Sequence, residues 1–327
     1  MNFFVWKNFT QIDEVGFEKK ALKLYGFQYA HNKIYRRFNE LLGVHPNKVR
    51  RLEDIPFLPV EFFKYHRVVS IEGPYDAVFE SSGTTGMHRS KHYVKDLSIY
   101  EQSFLKGFEL FYGPVSDYLI LALLPSYLER KNSSLIYMMK HLIDRAQPGS
   151  GFFLHHTDEL YKKLIQADKS GQKVLLFGVS FALWDFALQY EFDLKNTIVM
   201  ETGGMKGRKR EPVREELHAL LTTRFGVPVI HSEYGMTEIL SQAYSQGEGK
   251  FKMPPWMRIL IRETEDPFRY LPPGKSGGIN IIDLANVHSC AFVATQDLGK
   301  ILPDDSLEIS GRFDDSDIRG CNLLIMD

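Results

Sequence analysis

Apolar residues recur at helical spacing over residues 17–29 and 34–42, with lysines and glutamates between them. That period predicts a helical N-terminal segment over residues 1–70. Pro56 and Pro59 end it in an apolar elbow of Phe57, Leu58 and residues 60–63. From about residue 75 the pattern turns to alternation. Short apolar, β-branched runs at 75–79, 118–124, 174–179, 197–200 and 229–231 are separated by helical stretches at 97–112, 134–144, 158–169, 180–190 and 212–225. Strand and helix alternating at this spacing predict an α/β core over 71–245, with mostly parallel sheets flanked by helices. The uninterrupted run Y-L-I-L-A-L-L at 118–124 suits a strand buried on both faces. Beyond 245 the helical period fades. Pro254-Pro255, Pro272-Pro273-Gly274 and Gly277-Gly278 punctuate short strand runs at 278–284, 291–295 and 306–310. These predict a small β subdomain over 246–312, followed by a tail over 313–327.

Composition narrows the function classes. The 327 residues are 44% hydrophobic and 13% aromatic, which allows a large buried core. A formal net charge of −1 gives no reason to expect a nucleic-acid partner, and the basic runs at 48–51 and 206–210 read as solvated faces. No run approaches the roughly 20 apolar residues that span a bilayer, and no secretory leader is visible at the N-terminus. The two cysteines, Cys290 and Cys321, form neither a disulfide framework nor a zinc-like pair, which fits a reducing cytoplasm. Cys290 precedes A-F-V and reads as a buried apolar residue.

The most informative stretch is E-S-S-G-T-T-G at 80–86. Ser81, Ser82, Thr84 and Thr85 offer hydroxyls, while Gly83 and Gly86 allow close backbone approach, so the loop can wrap donors around a phosphate. It lacks the spacing of the Walker loop. Arg89 and Lys91 follow within reach of the same anion. Gly203 and Gly204 end the 197–200 strand and can lie flat against a planar ring. The segment H-S-E-Y-G-M-T-E at 231–238 offers Tyr234 for stacking, Thr237 for phosphate and Glu238 for Mg²⁺. Asp297 ends a strand and can accept two ribose hydroxyls; Arg312, in G-R-F-D-D at 311–315, can join it. Taken singly, each has an ordinary reading as a turn residue or helix-start carboxylate, and His231 reads as a core histidine. Their common position after strand ends in an α/β sheet is what joins them. The segments 125–127 and 177–181, apolar and aromatic after central strands, are candidates for an acyl pocket.

In this order the motifs resemble the adenylate-forming superfamily of acyl-CoA synthetases, luciferases and peptide-synthetase adenylation domains. The likeness covers roughly residues 75–320. Within it the chain is most similar to the acyl-protein synthetases of bacterial luminescence fatty-acid reductase complexes. The carrying features are I-P-F-L-P-V-E-F-F-K at 55–64, Ser90-Lys91 after the loop, and D-I-R-G-C-N-L at 317–323. The resemblance implies an adenylate-forming N-terminal core using ATP and Mg²⁺ to activate a carboxylic acid, with the acyl group passing to a thiol. The family reading is a fatty acid placed on an enzyme cysteine, here Cys321. It implies catalytic roles for Thr84, Thr85, Lys91, Thr237, Glu238 and Cys321. Ser81, Ser82, Gly83, Gly86, Gly203, Gly204, Tyr234, Asp297 and Arg312 would bind the nucleotide, and Glu238 the metal. It further implies an acyl-acceptor or reductase partner. Most members carry about a hundred further residues bearing a catalytic lysine, a domain of ordinary size. The expectation here is that this mobile C-terminal domain is absent. An acyl-CoA ligase and a non-catalytic nucleotide-binding subunit are the alternatives.

Overall fold

A computed structural model describes residues 14–82, 88–124, 131–203 and 214–313. Its helices are α1 (Glu14–His31), α2 (Lys33–Leu41), α3 (Phe62–Tyr65), α4 (Leu97–Tyr112), α5 (Ser134–Ile143), α6 (Thr157–Lys169), α7 (Ser180–Gln189) and α8 (Arg214–Phe225). The strands are β1 (Leu58–Pro59), β2 (Ala77–Glu80), β3 (Lys91–Val94), β4 (Leu119–Leu123), β5 (Gly151–Phe152), β6 (Val174–Val179), β7 (Thr197–Thr202), β8 (His231–Tyr234), β9 (Ala243–Ser245), β10 (Lys250–Lys252), β11 (Met257–Arg262), β12 (Gly277–Asp283), β13 (Phe292–Ile301) and β14 (Leu307–Arg312).

The long periodic runs form where they are expected. The Asp96 side chain caps α4 by accepting from Ser98 N, and Gly113, at φ +81°, stops it. Strands β5-β4-β6-β7-β8 run parallel. Their side chains alternate between two cores. Leu119, Leu121, Leu123, Leu176 and Val199 pack under α6, α7 and α8, whereas Ile120, Ala122, Leu175, Phe177 and Met200 face α4 and α5. Burial on both faces is why these strands read as continuous apolar runs.

Beyond β8 the sheet changes sense but does not break. The hydrogen-bonded order is β11-β12-β13-β14-β10-β9-β8-β7-β6-β4-β5, with antiparallel pairs from β8 to β11 and β1 parallel to β13. Two placements differ from the sequence expectation. Among the described residues the run at 75–79 does not enter the large sheet; β2 pairs with β3 in a separate hairpin. The run at 229–231 begins as a strand two residues later. Pro228 supplies no N–H, Val229 is exposed, and the antiparallel ladder to β9 fixes the strand as His231–Tyr234. Tyr234 therefore sits on a strand end.

The N-terminal helices are stitched to a distant turn. Gln28 Nε2 donates to the carbonyls of Asn286 and Val287, its Oε1 accepts from Ala291 N, and Asn32 Nδ2 donates to Ser289 O. All are buried polar groups with partners.

Candidate nucleotide site

The β2–β3 hairpin carries the hydroxyl loop, and its base is closed by Ser81 and Ser90. Ser81 N donates to Ser90 O at 3.1 Å, and Ser90 N donates to Ser81 Oγ at 3.0 Å. Across the hairpin Glu80 faces Lys91 in register, with the ammonium 3.5 Å and the Arg89 guanidinium 3.9 Å from its carboxylate. Strand alternation puts Lys91 on the face opposite Ser90 and His92. Ser82 is exposed. Gly83, Thr84, Thr85 and Gly86 lie outside the described residues, as do Gly204, Cys321 and the 125–127 segment.

Tyr234, Asp297 and Arg312 come together. Asp297 and Arg312 are cross-strand partners on β13 and β14, joined by Arg312 Nε to Asp297 Oδ1 at 3.1 Å. The Tyr234 hydroxyl donates to Asp297 Oδ2 at 2.7 Å. Strands β9, β10 and β14 lie between β8 and β13. In a flat sheet those four spacings would be about 19 Å, beyond the reach of a tyrosine. The antiparallel half therefore curls, bringing β8 and β13 together at this carboxylate. Glu238 joins them from the turn after β8. It is buried, hydrogen-bonded to the Ser90 side chain, and within electrostatic range of Arg312 and Lys64. Burial raises its carboxyl above the ordinary glutamate range, and these partners oppose the rise. The loop base, the Thr237–Glu238 turn and the Asp297–Arg312 pair thus form one neighbourhood.

Three supporting residues carried no motif. Asp283, fully buried, accepts from Leu240 N (2.7 Å), Ser241 N (3.1 Å), Ser241 Oγ (2.6 Å) and Ala285 N (3.0 Å), fixing the chain just after Glu238. His92 ties the hairpin to the same turn. Its Nδ1 lies 2.8 Å from Thr237 O and its Nε2 3.1 Å from Asn286 Oδ1. The Asn286 amide cannot turn over without loss, because its Nδ2 donates to Glu238 O and Cys290 O. Burial pushes the His92 pKa down to about 4, against the pull of the two oxygens. Burial dominates, so the neutral ring at pH 7 has one proton for two acceptors. A charged residue inside the strand 277–283 was the available sequence signal for Asp283.

Gly203, at φ +69°, makes a turn that favours glycine, and its carbonyl accepts from Ser180 Oγ at 2.6 Å. Behind it lies Glu201, buried, accepting from Ser180 Oγ at 2.7 Å, with His218 Nε2 at 3.6 Å and Arg214 Nε at 3.9 Å. Burial alone would raise this carboxyl; His218, Arg214 and the Ser232 and Ser180 hydroxyls outweigh it and hold it below its ordinary range. His231 is half-buried against Tyr112, whose hydroxyl is 3.2 Å from its Nδ1, and burial lowers its pKa to about 4. Cys290 is buried with its thiol 3.4 Å from the Phe292 carbonyl, and burial pushes its pKa up to about 12, so it is no nucleophile at neutral pH. No helix among the described residues is long and apolar enough to cross a membrane.

The sequence model of the family described as "Acyl-protein synthetase, LuxE" matches residues 10–327. No curated protein sequence matches at a significant level. Among solved structures, the ATP-bound MatB from Rhodopseudomonas palustris is similar at 18% identity and TM-score 0.55, over 74% of this chain and 50% of that one. The 2-hydroxyisobutyryl-CoA ligase in complex with 2-HIB-AMP and CoA, in its thioesterification state, is similar at 15% identity and TM-score 0.71, over 94% of this chain and 70% of that one. This chain spans about half the length of the MatB structure. These likenesses establish the fold.

Proposed function

Because the chain belongs to the LuxE acyl-protein synthetase family, we propose that it is an AMP-forming ligase that activates a carboxylic acid with ATP and passes the acyl group to a thiol. The observation that carries this reading is the convergence of Tyr234, Asp297 and Arg312 beside Glu238 and the base of the hydroxyl loop. The 2-HIB-AMP and CoA in one structural neighbour and the ATP in another agree with it.

A carboxylate is a poor acyl donor, and AMP is a good leaving group. A carboxylate oxygen attacks the α-phosphorus of ATP, pyrophosphate leaves, and a mixed anhydride forms. A thiolate then attacks the acyl carbon and AMP departs. Both steps require two anions to be held together, which favours pre-placed donors and cations. In this reading residues 81–86 hold the terminal phosphates, and Thr237 approaches the α-phosphate. Gly203, Gly204 and Tyr234 frame the base, and Asp297 and Arg312 take the ribose. Glu238 fits a metal site of one carboxylate completed by substrate phosphates, the usual protein contribution for Mg²⁺, which would neutralise phosphate charge. A fatty acid as the acid and Cys321 as the acceptor are the family's assignments carried to this chain. The protein acts in the cytoplasm beside an acceptor or reductase partner.

The test is carboxylate-dependent exchange of labelled pyrophosphate into ATP over a panel of acids. Folded protein with Mg²⁺ that exchanges with none of them ends the proposal. Labelled acyl group should stay on the wild-type chain after denaturation and disappear in Cys321→Ser. Retention in that variant removes Cys321 as acceptor, and acyl-CoA formed on adding coenzyme A assigns the acceptor to the soluble thiol.

A further inference from the structure

Strand β13 breaks its regular pairing at Asp297. Gly278 on β12 pairs with Leu298 on β13, and Asn280 pairs with Ala294, so one β12 residue, Ile279, stands opposite three on β13, residues 295–297. Two of those three are surplus to the ladder. A bulge of this kind frees backbone groups that need partners elsewhere, and it re-aims the side chain it carries, here that of Asp297.

The partners come from one side chain. Arg262, at the end of β11, is the cross-strand neighbour of Gly278. Its guanidinium lies across that glycine, where a Cβ would come within 2.5 Å of Arg262 Cζ, and so reaches past β12 to the bulge. Nη1 donates to Ile279 O and to Asn280 Oδ1, both at 2.8 Å, and Nη2 donates to Thr295 O at 2.6 Å. One planar fork thus joins the two walls of the bulge. Thr295 completes the join: its hydroxyl donates to Ile279 O at 2.9 Å and accepts from Asp297 N at 3.0 Å. Gln296 O accepts from Phe313 N at 2.8 Å, and the Phe313 ring centre lies 5.6 Å from the same guanidinium carbon. Thr295 and Asn280 are buried. Burial lowers the Arg262 pKa below the ordinary arginine range, and Glu61, Tyr270 and Asp297 oppose the fall.

Resting on the proposed assignment of Asp297 to the ribose, we infer that Arg262 is the positioning residue for that carboxylate, acting through Thr295 to hold it where it can accept both ribose hydroxyls. The fork fixes the backbone from which Asp297 projects, and hydrogen bonds to the hydroxyls depend on that placement. A lysine keeps the charge but is a point donor, so it cannot bond both walls in the same way.

The experiment is calorimetric binding of ATP, 2′-deoxyATP and 3′-deoxyATP to the full chain with Mg²⁺, alongside KM for ATP and for the acid in pyrophosphate exchange. Wild type should bind ATP at least about 10-fold more tightly than either deoxy analogue, since each analogue forgoes a hydrogen bond to a charged group. Arg262→Lys and Thr295→Val should erase most of that preference, raising Kd for ATP more than for the analogues and leaving KM for the acid near its wild-type value. Thr295→Ser, which keeps the hydroxyl, should restore it. A merely structural role would weaken all three nucleotides alike. Should Arg262→Lys fail to fold, the Thr295 pair carries the same test with the guanidinium in place. Equal loss for all three nucleotides, or a preference that survives Arg262→Lys and Thr295→Val, overturns the inference. Asp297→Asn is the control. If it alone erases the preference, Asp297 keeps the ribose and Arg262 loses its role. If wild type shows no preference, the ribose assignment falls and the inference with it, while exchange with any carboxylic acid leaves acyl activation standing.

Discussion

Glu201 and Glu233 sit on adjacent strands, one on each face of the sheet, and their surroundings push them to opposite ionisation states. Glu201 is held charged by Arg214 and His218; Glu233, whose pKa is raised to about 7, stays largely protonated through mildly acidic pH. Between about pH 4.5 and 7 the folded chain keeps a proton on Glu233 that the unfolded chain has released. The stabilisation it brings is complete below the unfolded value and is lost as pH rises through 7. His92 and His231, both lowered to about 4, work the other way: the unfolded chain gains protons first, so their contribution is lost as pH falls from 6.5 towards 4. Glu233→Gln should therefore improve stability at pH 8 relative to pH 5 by on the order of 3 kcal/mol compared with wild type. Urea unfolding at the two pH values measures this, and parallel profiles would contradict it. At the site itself, Asp297 holds both Tyr234 and Arg312. Charge-assisted bonds are worth roughly 1.5–3 kcal/mol, so Asp297→Asn should raise KM for ATP by about 10-fold or more and also lower the melting temperature. An unchanged KM would remove Asp297 from the nucleotide.

At the scale of elements, the chain announced its long pieces well. The 97–112 and 174–179 runs match α4 and β6, because each repeats its period over several turns or pleats and ends in a strong signal. The pieces that were hidden are β9 and β10, three residues each with the sequences A-Y-S and K-F-K. A strand that short shows no period, and only its ladder partners define it. The site divides in the same way. Tyr234, Glu238, Asp297 and Arg312 were visible as motif residues, whereas Asp283 and His92 owe their places to contacts made across the fold, from residues with ordinary neighbours. The turn between β8 and β9 depends on such contacts. Asp283→Ala strands two backbone N–H groups at 240 and 241 and should cost on the order of 3 kcal/mol, read as a lower denaturant midpoint at unchanged m. A loss below about 1 kcal/mol would show that the turn holds itself.

For the whole molecule, the unbroken ladder from β5 to β11 ties a parallel half to an antiparallel half, and one buried cluster runs from Phe17 to Leu307. The two halves should lose structure together. Trp256 lies in that cluster and Trp184 packs on the cluster of the opposite face. Fluorescence of Trp184→Phe and Trp256→Phe variants should report coincident denaturant midpoints, and separated ones would mean independently folding parts. The stitches from Gln28 to Asn286 and Val287 have a temporal consequence. The partners stand 258 and 259 positions apart in the chain. At 5–20 residues per second, a ribosome needs roughly 15–50 s to make the second after the first. For that interval the Gln28 amide and the Asn32 amide nitrogen lack the partners that hold them in the folded chain. Docking of the first helices is thus among the last events of biogenesis, in the period when chaperones have most to guard.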